Sequence, residues 1–195
     1  MNKQAPPIKG GRGARQRILD AAAELFYRDG INATGVERLA AESSVSKRTL
    51  YQHFPSKTAV VEEYLRSIEQ RVADSVLPGV DASSQTPRER MLAVFEAPTA
   101  HGGPLRGCPF HNAAVEAAGA MPGVQDIVRA SKRSFINGLT ELAKQAGAAD
   151  PQGLGNELSV LYEGAAALAT SLDDLSPWAS ARTAAEKLID QALTR

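Results

Sequence analysis

A single cysteine, Cys108, in 195 residues has no partner for a disulfide within the chain. A disulfide-framed fold is therefore excluded, and a reducing compartment fits. Aromatic residues are scarce, at 5% with one tryptophan. No window approaches roughly eighteen uninterrupted apolar residues, so no membrane span is expected. The opening MNKQAPPIKGGRGARQR is basic but lacks an apolar run of the length a signal peptide needs. Together these absences lead us to expect a cytoplasmic protein. Strand-like alternation and internal repeats are missing as well, which leaves an all-α chain as the expected fold class.

Net charge is zero, but its distribution is uneven. Residues 1–60 hold 10 Lys and Arg against 5 Asp and Glu, and the remainder holds 12 against 17. A basic head on an acidic body is the asymmetry expected where one end meets a polyanion. At 43% hydrophobic and 23% charged, the chain has ample material for a buried core.

Residues 1–13, rich in Pro, Gly and Lys, read as a flexible basic arm. Residues 14–57 read as a helical head and 58–195 as a larger helical body. Ile18, Leu19, Ala22, Leu25 and Phe26 form one apolar stripe from Ala14 onward, and Gly30 stops that helix. Thr34-Gly-Val-Glu37 matches the S/T-x-x-E capping box of a second, short helix that ends near Ser43. Ser46 caps a third, reaching about His53. Two short helices joined by a tight turn form a helix-turn-helix. Pro55 breaks the chain and Ser56 caps a long helix carrying Val61, Leu65, Ile68 and Val72. Beyond the loop at 77–85, helices are expected at about 87–98, 109–119, 123–146, 152–173 and 178–193, separated by strong breakers.

The stretch SSVSKRTLYQHFPSK, residues 43–57, carries the candidate chemistry. In a helix-turn-helix the second helix lies in the major groove with its N-terminal residues against base edges. Ser46 would cap that helix, and its first amides suit a phosphate. Lys47, Arg48 and Thr49 project from the first turn; Arg48 can bond guanine bidentately and Gln52 can pair with adenine. Tyr51 and His53 can donate to phosphates, while Leu50 and Phe54 face a small core. Lys57 lies in the first turn of the next helix, where a cation is disfavoured unless an anion is near, which suits a phosphate. Thr34 is a second candidate phosphate contact, and Arg12 or Arg15 a third.

The run from Arg15 to Leu65, with RILDAAAELF and DGINATGVERLAAESSVSKRTLYQHFPSKTAVVEEYL, resembles the DNA-binding head of the TetR (tetracycline repressor) family of bacterial regulators. The resemblance implies an all-α homodimer on a palindromic double-stranded DNA operator, with an effector pocket in the C-terminal body. It implies phosphate contacts at Thr34, Tyr51 and Lys57, with base contacts around Lys47 to Thr49. It also implies that the last two helices, residues 158–172 and 178–193, pair with their copies as a four-helix bundle. Gly164, Trp178, Ala181, Ala185, Leu188 and Ala192 are the candidate dimer residues there, an internal hairpin being the alternative. Two departures stand out. The family's turn usually has glycine where this chain has Ser44, a cost of roughly 1 kcal/mol if φ is positive. The slot holding Arg48 is often glycine in relatives, so here a long donor points at the groove.

In the body, RGCPFHNAAVEAAG places Cys108 as the N-cap of a helix opening at Pro109, with Arg106 and His111 nearby in sequence. Three readings of Cys108 are open: a half-buried structural residue, an oxidant or electrophile sensor, and a metal ligand with His111 and His101. Some TetR-family members resemble the G-C-x-x-x-N pattern here, and a few of those respond to reactive compounds. Tyr64, Phe95, Phe110, His111, Phe135 and Tyr162 are the candidate lining of an effector pocket, for which an apolar or aromatic small molecule is expected. The expected role is a ligand-responsive regulator acting as a repressor, without cofactor, resident metal or enzymatic activity. Two alternatives differ in class. A thiol enzyme using Cys108 and His111 would need an orienting third group and an oxyanion hole. An architectural DNA-binding dimer would need no ligand.

Overall fold

The apolar stripe of α1 (Ala14–Asp29) is buried along its whole length: Ile18, Ala22 and Leu25 are fully covered, and Leu19 and Phe26 nearly so. A computed structural model describes residues 13–76, 85–98 and 105–194, and every regular element among them is an α-helix. After α1 come α2 (Val36–Glu42), α3 (Lys47–His53), α4 (Lys57–Val76), α5 (Pro87–Ala93), α6 (Pro109–Glu116), α7 (Pro122–Gln145), α8 (Pro151–Leu172) and α9 (Ser176–Leu193). The expected arm, apart from Gly13, most of the loop at 77–85 and His101 lie outside the described residues. The chain divides into two compact units, residues 1–70 with 112–127, and residues 71–111 with 128–195.

In the first unit, α1, α2 and α3 pack around Ile18, Leu25, Leu39, Leu50 and Phe54. Gly30 ends α1 with φ 96°, its amide bonding the Phe26 carbonyl at 3.1 Å. The capping box expected at Thr34 does not form. Helix α2 begins one residue later, with Gly35 at the N-cap and no side-chain cap. Thr34 is instead fully buried, and its hydroxyl donates to the Gly30 carbonyl at 2.8 Å. That bond satisfies a carbonyl otherwise stranded in the interior, a stronger demand than capping an exposed helix end.

The turn between α2 and α3 is a Schellman motif. The Val45 amide reaches the Ala40 carbonyl at 3.0 Å, and the Ser44 amide reaches that of Ala41 at 3.1 Å. This geometry puts Ser44 at φ 52°, as the sequence comparison with glycine anticipated. Arg17 adds a donor from α1 to the Ser43 carbonyl at 3.1 Å, fixing the end of α2.

In the second unit, α8 and α9 form a closely packed hairpin, with α5 and α7 against it. Thr86 and Glu89 close a reciprocal capping box at the start of α5. Arg88 joins α5 to α9 through Asp190 at 2.7 Å and Glu186 at 3.3 Å. Helix α5 is shorter than expected, because Val94 to Glu96 turn away after Ala93. Helix α8 comes close to α7 at Gly155, where a Cβ would lie 2.9 Å from the Thr140 backbone nitrogen.

The apolar stripe of α9 is used differently from expectation. Trp178, Ala181, Ala185 and Ile189 are buried in the chain's own core, so this face is not free for a second copy. A tryptophan stripe opposite the alanines of α8 finds its cover within the hairpin, where the shortest connection puts it. Within the α8–α9 hairpin the exposed large apolar residues lie on α8: Val160, Leu168 and Leu172 are 72%, 54% and 62% exposed. Gly164 sits between them in open space.

Replacing Ser44 by glycine removes the Cβ penalty of the left-handed region, about 1 kcal/mol. The expected outcome of Ser44→Gly is a thermal midpoint roughly 2–4 °C higher, read by calorimetry.

Candidate nucleic-acid interface

Helix α3 divides its residues cleanly between core and solvent. Leu50 is fully buried and Phe54, just past the helix, nearly so. Lys47, Arg48, Tyr51, Gln52 and His53 are exposed on the opposite side. Ser46 opens the helix as expected, accepting from the Thr49 amide at 3.0 Å. The Ser46 and Thr49 hydroxyls also bond each other at 2.8 Å. The first turn of α3 thus carries polar groups on a rigid frame, and Arg48 makes no ion pair or hydrogen bond to the described residues.

Other predicted contacts stand differently. Thr34 faces inward, and its hydroxyl has no path to a phosphate in this arrangement. Arg15 is occupied: it bonds Glu63 at 2.6 Å and lies over the Phe54 ring at 5.4 Å, tying α1 to α4. The Glu63 carboxyl is held below its usual range, chiefly by that hydrogen bond. Lys47 is paired with Glu37 from the first turn of α2, a partner that sequence reasoning missed. Glu37 had been assigned to a capping box, and the pattern alone gave no signal that it would turn toward α3.

Lys57 is the notable cation of the unit. It opens α4 beside Ser56, whose hydroxyl accepts from the Ala59 amide at 3.1 Å. The lysine is half-buried and makes no ion pair with a carboxylate among the described residues. Burial pushes its pKa down, with only a partial upward pull from the charge of Glu116. Glu116 itself accepts from the Asn32 amide at 2.8 Å. Lys57 therefore sits partly dehydrated at a helix start, a position that an incoming anion would relieve.

The predicted body residues fall into separate places. Tyr64 does not belong with the others: it packs edge-on against Phe26 at 5.5 Å in the first unit. Phe95, Phe135 and Tyr162 form an aromatic cluster with Trp178, with centroids 4.8 to 6.4 Å apart around Tyr162. Burial, with added push from Cys108 and Glu163, raises the Tyr162 phenol to about 12. Phe110 is buried, and His111 is exposed.

Cys108 directly precedes α6, as expected, but its neighbour is not His111. Its sulfur accepts from Lys132 Nζ at 3.3 Å, and the same amine pairs with Glu163. Lys132 and Glu163 lie far from Cys108 in sequence, so only the packing of α7 against α8 could reveal them. Gly107 sets the approach, at φ 65° and with a Cβ position 2.6 Å from Thr170 Oγ1. Among the described residues no group of three His, Cys, Asp or Glu side chains could hold a metal ion. His101, the third candidate ligand, lies outside them.

The Lys57 geometry carries a prediction for the free protein. A lysine whose pKa is lowered on folding binds fewer protons when folded, so its charge opposes folding at neutral pH. The penalty is full below the lowered folded pKa and is gone once pH has risen to the ordinary lysine value. Lys57→Met is therefore expected to raise the thermal midpoint at pH 7, with the difference from the parent shrinking as pH rises toward 10.5 and absent above it, in scans across pH.

Known proteins place this geometry in a wider group. The family model described as "Bacterial regulatory proteins, tetR family" matches residues 18–64. The transcriptional activator FasR of Mycolicibacterium smegmatis is 40% identical over 86 residues, 43% of this chain and 37% of that protein. The transcriptional repressor KstR2 of Rhodococcus jostii is 40% identical over 62 residues, 32% of this chain and 30% of that one. The chain thus spans about a third of the length of these curated relatives. A solved structure from Streptomyces avermitilis, described as a putative TetR-type transcriptional regulator, is 30% identical with a TM-score of 0.74. That match covers 92% of this chain and 97% of the other. With a likeness of that identity running the length of both chains, and the family's head matched at residues 18–64, this chain belongs to the TetR family of bacterial regulatory proteins.

Proposed function

We propose that the chain is a DNA-binding transcriptional repressor, acting in the cytoplasm as a homodimer on a palindromic operator and released by a small-molecule effector. The observation that carries this reading is the two-sided character of α3. Leu50 and Phe54 anchor it while Lys47, Arg48, Tyr51 and Gln52 stand outward from its capped start. Arg48, unpaired, is the principal base contact, and a bidentate bond to guanine suits it. Tyr51 and Lys57 take phosphates, with the first amides of α3 contributing at the Ser46 end. The relatives named above are both transcriptional regulators, one an activator and one a repressor.

The dimer is proposed to form through α8 and α9, with the exposed Val160, Leu168 and Leu172 covered by a second copy and Gly164 admitting its close approach. A dimer places two recognition helices one helical turn, or a multiple, apart on DNA. The effector is proposed to bias the body between conformations of unequal operator affinity. The Phe95, Phe135 and Tyr162 cluster favours an aromatic or apolar compound, and Cys108 beside Lys132 offers modification of the thiol as a second route of release. No enzymatic role is proposed: the relatives named above are transcriptional regulators.

The test is selection of bound duplexes from a random pool by the purified protein, with and without a thiol oxidant. A palindrome is expected, and its absence would overturn the reading. Arg48→Ala should relax specificity at one base per half-site and weaken operator binding by roughly 1–3 kcal/mol per contact, while Lys57→Met should weaken all sequences alike. Leu168→Lys is expected to convert the dimer to monomer in sedimentation and to abolish operator binding at matched concentration.

A further inference from the structure

Lys47, the first residue of α3, does not stand free toward DNA; it is hydrogen-bonded to Glu37 on the first turn of α2. The pair is exposed on both sides, with Lys47 at 54% and Glu37 at 74%. Neither side chain is held there by burial, so the contact can open when a better partner arrives. Each member also feels the other: the hydrogen bond holds Glu37 below its usual range and Lys47 above. A carboxylate beside a DNA-facing helix needs an explanation, because phosphates repel it.

The major groove supplies one. A G·C pair presents acceptors at guanine N7 and O6 beside a donor at cytosine N4. Once parted, the ammonium and the carboxylate offer the matching set, a donor near an acceptor. An A·T pair also sets a donor at adenine N6 between acceptors at adenine N7 and thymine O4, but the commoner specific partner of a lysine is guanine, through O6 and N7, which favours G·C. Resting on the DNA-binding reading given above, we propose that Glu37 is a specificity-determining residue: with Lys47 it reads one G·C base pair in each half-site. On other sequences the pair stays closed and Lys47 is withheld from the phosphates.

This arrangement turns a general cation into a conditional one. A free lysine would add to binding on any DNA, through counterion release. Held by Glu37, it contributes only where a guanine draws it out and a cytosine amino group occupies the carboxylate. The neighbouring Arg48 has no such partner and reads independently.

The test compares wild type, Glu37→Ala, Lys47→Gln and the double variant, first by selection from random DNA and then by salt titration on a non-operator duplex. For Glu37→Ala, the expected results are loss of roughly tenfold G·C preference at one half-site position and tighter non-operator binding. Its slope of log affinity against log salt should steepen by about 0.9 per head. Lys47→Gln should leave the non-operator slope unchanged in wild type but reverse the steepening in the Glu37→Ala background. Operator selection by wild type with the same base preferences in every variant would overturn this inference alone. So would an equal loss of slope from Lys47→Gln in both backgrounds. A wild-type protein that enriches no sequence would overturn the DNA-binding reading, and this inference with it.

Discussion

Everything α3 presents to solvent depends on the burial of Leu50 and Phe54. A seven-residue helix has too few internal hydrogen bonds to persist alone in water, so its stability must come from packing. Leu50, fully covered by the first unit, fixes the rotation of the helix about its axis. Phe54 then fixes where it ends, and the Ser46 cap fixes where it begins. With both ends and the rotation set, the outward side chains have no freedom to choose another face. Arg15 reinforces this from outside by lying over the Phe54 ring.

The turn before α3 is the second constraint. Its Schellman bonds place Ser43 in the interior, where the Ser43 hydroxyl donates to the Leu39 carbonyl at 2.6 Å. The chain accepts a left-handed serine at position 44 because these bonds, and the Arg17 contact, hold the backbone more firmly than the local steric preference resists. The same motif at the end of α7 has glycine in the equivalent position, Gly147 at φ 85°. The comparison within one molecule shows that the motif forms with either residue, the serine carrying the steric cost that the glycine avoids.

Much of this was legible in the sequence, and the exceptions share a cause. The α1 stripe, Gly30, the Ser46 and Ser56 caps, and the buried Leu50 and Phe54 follow from local periodicity and cap chemistry, which a sequence records directly. The Thr34 capping box failed because a one-residue shift in a helix start costs little locally, while an unsatisfied buried carbonyl at Gly30 costs more. On α9, Trp178, Ala181 and Ala185 turn into the chain's own core while Leu188 and Ala192 stay half-buried, because amphipathicity shows that a face is covered, not by what. Lys132 and Glu163 at Cys108, and Glu37 at Lys47, are meetings of separate elements that no spacing rule encodes. Of the six residues expected to line a pocket, Phe95, Phe135 and Tyr162 share one aromatic cluster with Trp178, while Tyr64 packs against Phe26 in the first unit.

Gly107 has a consequence for the chemistry of its neighbour. Residues 105–108 run so near α8 that a single added carbon at position 107 would meet both Thr170 and the Ala166 carbonyl, at 2.6 and 3.2 Å. The strand of backbone before Cys108 therefore has no room to retreat toward α8. Any group attached to the sulfur would have to displace Lys132 from its place between Cys108 and Glu163, or swing the cysteine side chain outward. Crowding at a residue with no side chain thus decides in which direction the thiol can grow.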